Sequence, residues 1–176
     1  MKIKKTKVLG FLTFLLLTIT IFSSCGGNDM QPEKVLNEFL KLIESGKVNN
    51  CNLTIYYINP YILADIPLNV DGLINHNAVR SIIIDGNSLQ KHNDLFNQLI
   101  GYALIPVKHK SYLDARLCYI FETVDDKILT IAMWGNNNNV FVNGLEVEEN
   151  DVFYDIIKPF LPEDAVKDLE AYIGKG

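Results

Sequence analysis

Asn143-Gly144 stands between Val140-Phe-Val142 and Leu145-Glu-Val147, and no other short stretch restricts the fold of this chain as much. Asn-Gly flanked by β-branched and apolar residues is the signature of a two-residue hairpin, because both central residues of a type I′ turn need positive φ. A second hairpin precedes it, in which Asp125-Asp126 supplies turn chemistry between strand-like runs at 115–124 and 127–134. Strands in hairpin succession pair antiparallel, so a doubly wound parallel sheet is excluded for this half of the chain.

Earlier in the sequence, helical and extended patterns interleave. Residues 32–45 put Val35, Phe39, Leu42 and Ile43 on one face, with Pro32 suited to a first turn and Gly46 to a stop. Residues 53–58 are β-branched and aromatic, Asn59-Pro60 reads as a turn, and residues 61–66 are expected as a second short strand before Pro67. Residues 69–77 read as a loop or short helical turn, and residues 79–84 as a strand closed by Asp85-Gly86-Asn87. Helical spacing of Leu89, Phe96, Leu99, Ile100 and Ala103 predicts a helix ended by Pro106. The chain closes with an apolar turn at 152–157 and an amphipathic helix after Pro162 carrying Val166, Leu169 and Tyr172. Together these patterns predict an α+β fold, a mainly antiparallel β-sheet backed by helices in a single domain over residues 32–176.

The first 31 residues follow different rules. Lys2, Lys4, Lys5 and Lys7 precede an uncharged run at 8–22 that is short for a bilayer span of about 20 residues and is interrupted by Gly10 and threonines. Residues 21–25, Ile-Phe-Ser-Ser-Cys, resemble the lipobox of bacterial lipoprotein precursors. That resemblance implies a signal peptide over 1–24, cleavage before Cys25, acylation of Cys25, and a flexible tether over 25–31. It also implies a membrane-anchored lipoprotein on the non-cytoplasmic side of the cell envelope, with membrane lipid as a partner through Cys25.

Processing would remove four lysines and no acid. The net charge then moves from −5, with 21 Asp and Glu in all, to −9. Neither value suits nucleic acid, which demands a basic face. An anionic lipid surface would repel such a domain as well, so the tether would have to hold it. With 48% hydrophobic residues, the chain has the means to bury a core without staples. Cys51 and Cys118 are therefore expected as small buried residues rather than a bridge, although export would permit one.

Chemistry-bearing motifs are sparse. The sequence has no phosphate-binding glycine loop, Gly-x-Ser-x-Gly elbow, His-Glu-x-x-His helix or Cys-x-x-Cys pair. His109, Ser111 and Asp114 are close in sequence, which is not triad geometry, and His92 reads as packing or capping. Glu146, Glu148, Glu149 and Asp151 resemble a solvated hairpin end more than a calcium loop. No catalytic residue, cofactor or metal is expected from these patterns.

One candidate ligand patch remains, formed by Trp134 beside Asn136, Asn137, Asn138 and Asn139. A large rigid aromatic next to adaptable amides suits a glycan, a peptide or an envelope protein. The expectation is a non-enzymatic binding or interaction module of the envelope, an inhibitor of a single partner being one form of it. The alternative is a small envelope hydrolase whose site assembles only in the fold.

Overall fold

The computed structural model describes residues 32–108, 111–124, 127–134 and 138–174. Six strands form one antiparallel sheet in the order β2-β1-β3-β4-β5-β6. In chain order the elements are α1 (Pro32–Glu44), β1 (Asn52–Tyr57), α2 (Val70–Ile74), β2 (Arg80–Ile84), α3 (Gly86–Lys91), α4 (Asn93–Phe96), β3 (Leu117–Glu122), β4 (Lys127–Met133), β5 (Val140–Val142), β6 (Leu145–Val147), α5 (Val152–Asp155) and α6 (Glu163–Tyr172). Short 3₁₀ turns lie at Val48–Asn50, Asn97–Leu99 and Lys158–Phe160. The α+β class and the antiparallel sheet are as the sequence predicts.

β3 sits at the centre, and its first five residues are all buried, so both faces of the sheet are covered. On one face, Leu53, Ile55, Tyr119, Phe121, Leu129 and Ile131 meet α1, α3, α4, α5 and α6 in the larger core. Aromatic rings dominate there: Phe39 lies 4.2 Å from Phe121 between ring centres, and Phe96 meets both edge-on. The other face buries Cys118, Ile120, Ala132 and Phe141 under residues 58–79 and 113–115. Cys51 belongs to the first core and Cys118 to the second, and both are free thiols. Burial raises both thiol pKa values, Cys118 to about 12.

The Asn143-Gly144 hairpin forms as its sequence requires, with φ of 46° and 79° at the two central residues. Asn143 also extends the ladder, because its side-chain oxygen accepts the Thr130 N–H at 2.6 Å while its own N–H donates to the Thr130 carbonyl.

Two expectations need correction. Residues 61–66 form no strand; Asn59 instead closes a turn, accepting the Tyr61 N–H at 2.9 Å, and Ile62 packs against the smaller core. Asp85-Gly86-Asn87 closes β2 as expected, and does so by starting α3, where the Asp85 carboxylate accepts the Ser88 N–H at 3.0 Å. Gly86 is required there because a Cβ would lie 2.0 Å from the Asn49 carbonyl oxygen. Finally, the helix expected to reach Pro106 breaks at His92 and ends at Leu99. Residues beyond Leu99 instead run out to the sheet, where Pro106 bridges Val147 and covers the β6 edge.

Candidate functional site

At one end of the sheet the strand register aligns Arg80, Tyr57, Leu117, Met133, Val140 and Val147 in a row. α6 passes beside the β1–β2 side of this end, leaving a cleft of about 190 Å³ lined by Tyr57, Asn59, Arg80, Asp164, Asp168 and neighbours. Tyr57 and Arg80 are cross-strand partners, so antiparallel pairing alone sets the guanidinium near the ring. Asp164 and Asp168 are one helical turn apart on α6, which places both carboxylates on the same face.

Arg80 and both carboxylates of the cleft have hydrogen-bond partners. Arg80 donates to Asp164 at 2.6 Å and lies 5.0 Å above the centre of the Tyr57 ring. Asn59 donates its amide to Asp168 at 2.9 Å. The Asp164 hydrogen bond raises the Arg80 pKa, and the same bond lowers that of Asp164. Burial raises the Tyr57 pKa, opposed by the guanidinium beside it. Arg80 and Asp164 side chains remain 52% and 64% exposed, so solvent screens this pairing and it adds little stability.

Sequence reasoning missed this cleft. Its partners are 84 and 109 residues apart, and no local spacing joins them. The one available signal was the pair of acids at i and i+4 on an amphipathic helix.

The expected ligand patch is placed differently. Trp134 is only 3% exposed and packs edge-on against Tyr154 at 5.0 Å. Its ring completes the larger core and offers no face to a ligand, which corrects the reading of Trp134 as a recognition aromatic. Asn138 and Asn139 are half-buried, and the Asn139 amide donates to the Ser111 hydroxyl. Asn136 and Asn137 lie outside the described residues, as do His109, Asp125, Asp126, the Cys25 lipidation site, the 1–24 signal peptide and the 25–31 tether.

Ser111 and Asp114 do not converge. The Glu146 carboxylate accepts the Ser111 N–H at 2.6 Å and its hydroxyl at 2.7 Å, whereas Asp114 takes a double hydrogen bond from Arg116. Glu146 is thus buried, 4% exposed, and separate from the solvated acids after it, which corrects its assignment to a solvated hairpin end. Among the described residues no group of three His, Cys, Asp or Glu side chains is placed to hold a metal ion. His92 caps α3 and packs edge-on against Phe160 at 5.1 Å.

No family model matches the chain, and neither a curated protein nor a solved structure is similar to it.

Proposed function

We propose that the protein is a lipid-anchored envelope lipoprotein whose folded domain is a non-enzymatic binding module, with the cleft between β1, β2 and α6 as its contact site. The carrying observation is the state of the charges in the cleft. Acid–base catalysis needs a group titrating near working pH, yet the shifts at Arg80, Tyr57 and Asp164 all run away from neutrality. Fixed, paired charges of this kind orient a partner and select against the wrong one.

Size narrows the partner. Small-molecule pockets hold about 300–1,000 Å³, and this cleft holds about 190 Å³. It fits one or two side chains of a protein or peptide in the envelope rather than an enclosed metabolite. The anchor rests on the likeness of residues 21–25 to a lipobox.

Both parts are testable in cells. Full-length protein should sediment with membranes and carry acyl chains on its N-terminal cysteine, and Cys25→Ala should release it. A photoreactive residue at Ala78, an exposed lining position, should give one main adduct. That adduct should fall about tenfold with Arg80→Ala, the loss of a charged contact worth roughly 1.5–3 kcal/mol. An adduct indifferent to Arg80 and Asp164 would contradict the cleft as the contact site.

A further inference from the structure

We propose that the outer edge of β2 takes up an extended segment of the partner protein as an added strand, with a Lys or Arg side chain of that segment reaching Asp168 in the adjoining cleft. This inference rests on the reading of the cleft as the contact site, and it names the form and charge of what is contacted.

The two edges of the sheet differ. β6 is shielded: Pro106 bridges Val147, Val107 donates to the Glu146 carbonyl, and Glu148 donates to the Ile105 carbonyl. β2 stands at the other edge, and among the described residues no segment pairs with its outer side. Its sequence, Arg80-Ser81-Ile82-Ile83-Ile84, has no proline, lysine or register shift, the devices that keep a free edge from pairing. Three successive isoleucines favour the extended state instead. Such an edge is a site for strand addition, in which main-chain hydrogen bonds give affinity and side-chain pockets give specificity.

Register identifies the free groups. Ile58, just past β1, donates to the Arg116 carbonyl, so the even-numbered residues of β1 bond toward β3 and the odd-numbered ones toward β2. Leu53, Ile55 and Tyr57 therefore bond Ile84, Ile82 and Arg80, their partners in register. The N–H and C=O groups of Ser81 and Ile83 are left facing out of the sheet. Ile82 and Ile84 pack with the larger core, so the Ile83 side chain projects from the opposite face, where it is 74% exposed. An added strand would cover it with an apolar residue.

Charge specifies the end of the segment. β2 begins at Arg80, which also lines the cleft, so a strand laid along the edge runs past the cleft mouth. One guanidinium there faces two carboxylates. Arg80 bonds Asp164, whereas Asp168 is held by the neutral Asn59 amide. The cleft is left with a negative charge to neutralise, in a chain with 21 acidic and 16 basic residues. A cationic side chain is its electrostatic complement, and a second copy of the same acidic chain is not.

The test is cross-linking in cells, using full-length protein with a photoreactive residue at Ile83 or, separately, at Ala78. Both positions should capture the same protein, at sites within about six residues of each other on one segment containing Lys or Arg, as a strand rise of about 3.3 Å per residue requires. Ser81→Pro removes an outward N–H but no ladder bond, and it should cut the Ile83 adduct about fivefold. Ser81→Lys, which keeps every backbone group, should cut it as well. Asp168→Asn should weaken both adducts about tenfold. An Ala78 adduct that persists while Ile83 captures nothing, or captures this chain itself, would overturn strand addition and leave the cleft reading standing. So would an Ile83 adduct indifferent to both Ser81 variants. Capture at neither position, or an Ala78 adduct indifferent to Arg80→Ala, would overturn the cleft reading and this inference with it.

Discussion

The two faces of the sheet are closed by different physics. On the larger face, Phe39, Phe96, Tyr119 and Phe121 interlock, and the principal polar tie of a core ring is Tyr119 donating its hydroxyl to the Phe153 carbonyl at 2.8 Å. On the smaller face the buried side chains are Cys118, Ala132, Ile120 and Phe141. Their cover is pinned by charged hydrogen bonds, Asp114 to Arg116 and to the Leu68 N–H, and Glu146 to Ser111. One face is held by area and shape, the other by a few latches. A latched cover can open without loss of the sheet, and mobile binding segments are drawn from such low-stability regions.

The largest effect separating the faces should come from Phe121→Ala, which empties a fully buried site in contact with three other rings. Denaturant unfolding should show a loss of about 3–5 kcal/mol. Asp114→Ala comes next, because it strands Arg116, whose side chain is only 8% exposed and whose Nε already lacks a partner. About 2–3 kcal/mol is expected from the lost charged hydrogen bonds, with the greatest change in exchange of the Leu68 amide.

A smaller loss tests the hairpin, which belongs to both faces. Gly144→Ala forces an L side chain to φ 79° and should cost about 1–2 kcal/mol, read as a lower urea midpoint with an unchanged slope. The smallest effect is expected at the exposed cap of α3. The Ser88 hydrogen bonds lower the Asp85 pKa, so its contribution is complete above the ordinary carboxylate value of about 3.9 and disappears as pH falls through the depressed one. Thermal melting of Asp85→Ala should show a small deficit at neutral pH that closes on acidification.

These contrasts also explain what could be read from the sequence. Periodicity reports apolar faces, and the larger core was legible from it: α1 through Val35, Phe39 and Ile43, β3, and α6 through Leu169. Asn143-Gly144 was legible because positive φ has few chemical solutions. The cover was not. Residues 61–66 resemble a strand in composition, but they bond within their own turn and pack on a face whose other wall lies far along the chain. Trp134 was misread for a related reason. At φ 66° the chain turns out of β4 and carries the ring back onto Tyr154, which no composition rule anticipates. The cleft at Arg80 and Asp164 is a product of tertiary contact alone.

The division between a packed face and a latched cover is tested most directly by native-state hydrogen exchange on the intact protein. The account predicts that the Tyr119 and Phe121 amides exchange only through global unfolding, while the Leu68, Ser111 and Ala115 amides exchange through a cheaper local opening. Glu146→Gln should lower protection of the Ser111 amide and leave β3 unchanged. Equal exchange free energies at all five amides, falling together in Glu146→Gln, would contradict it.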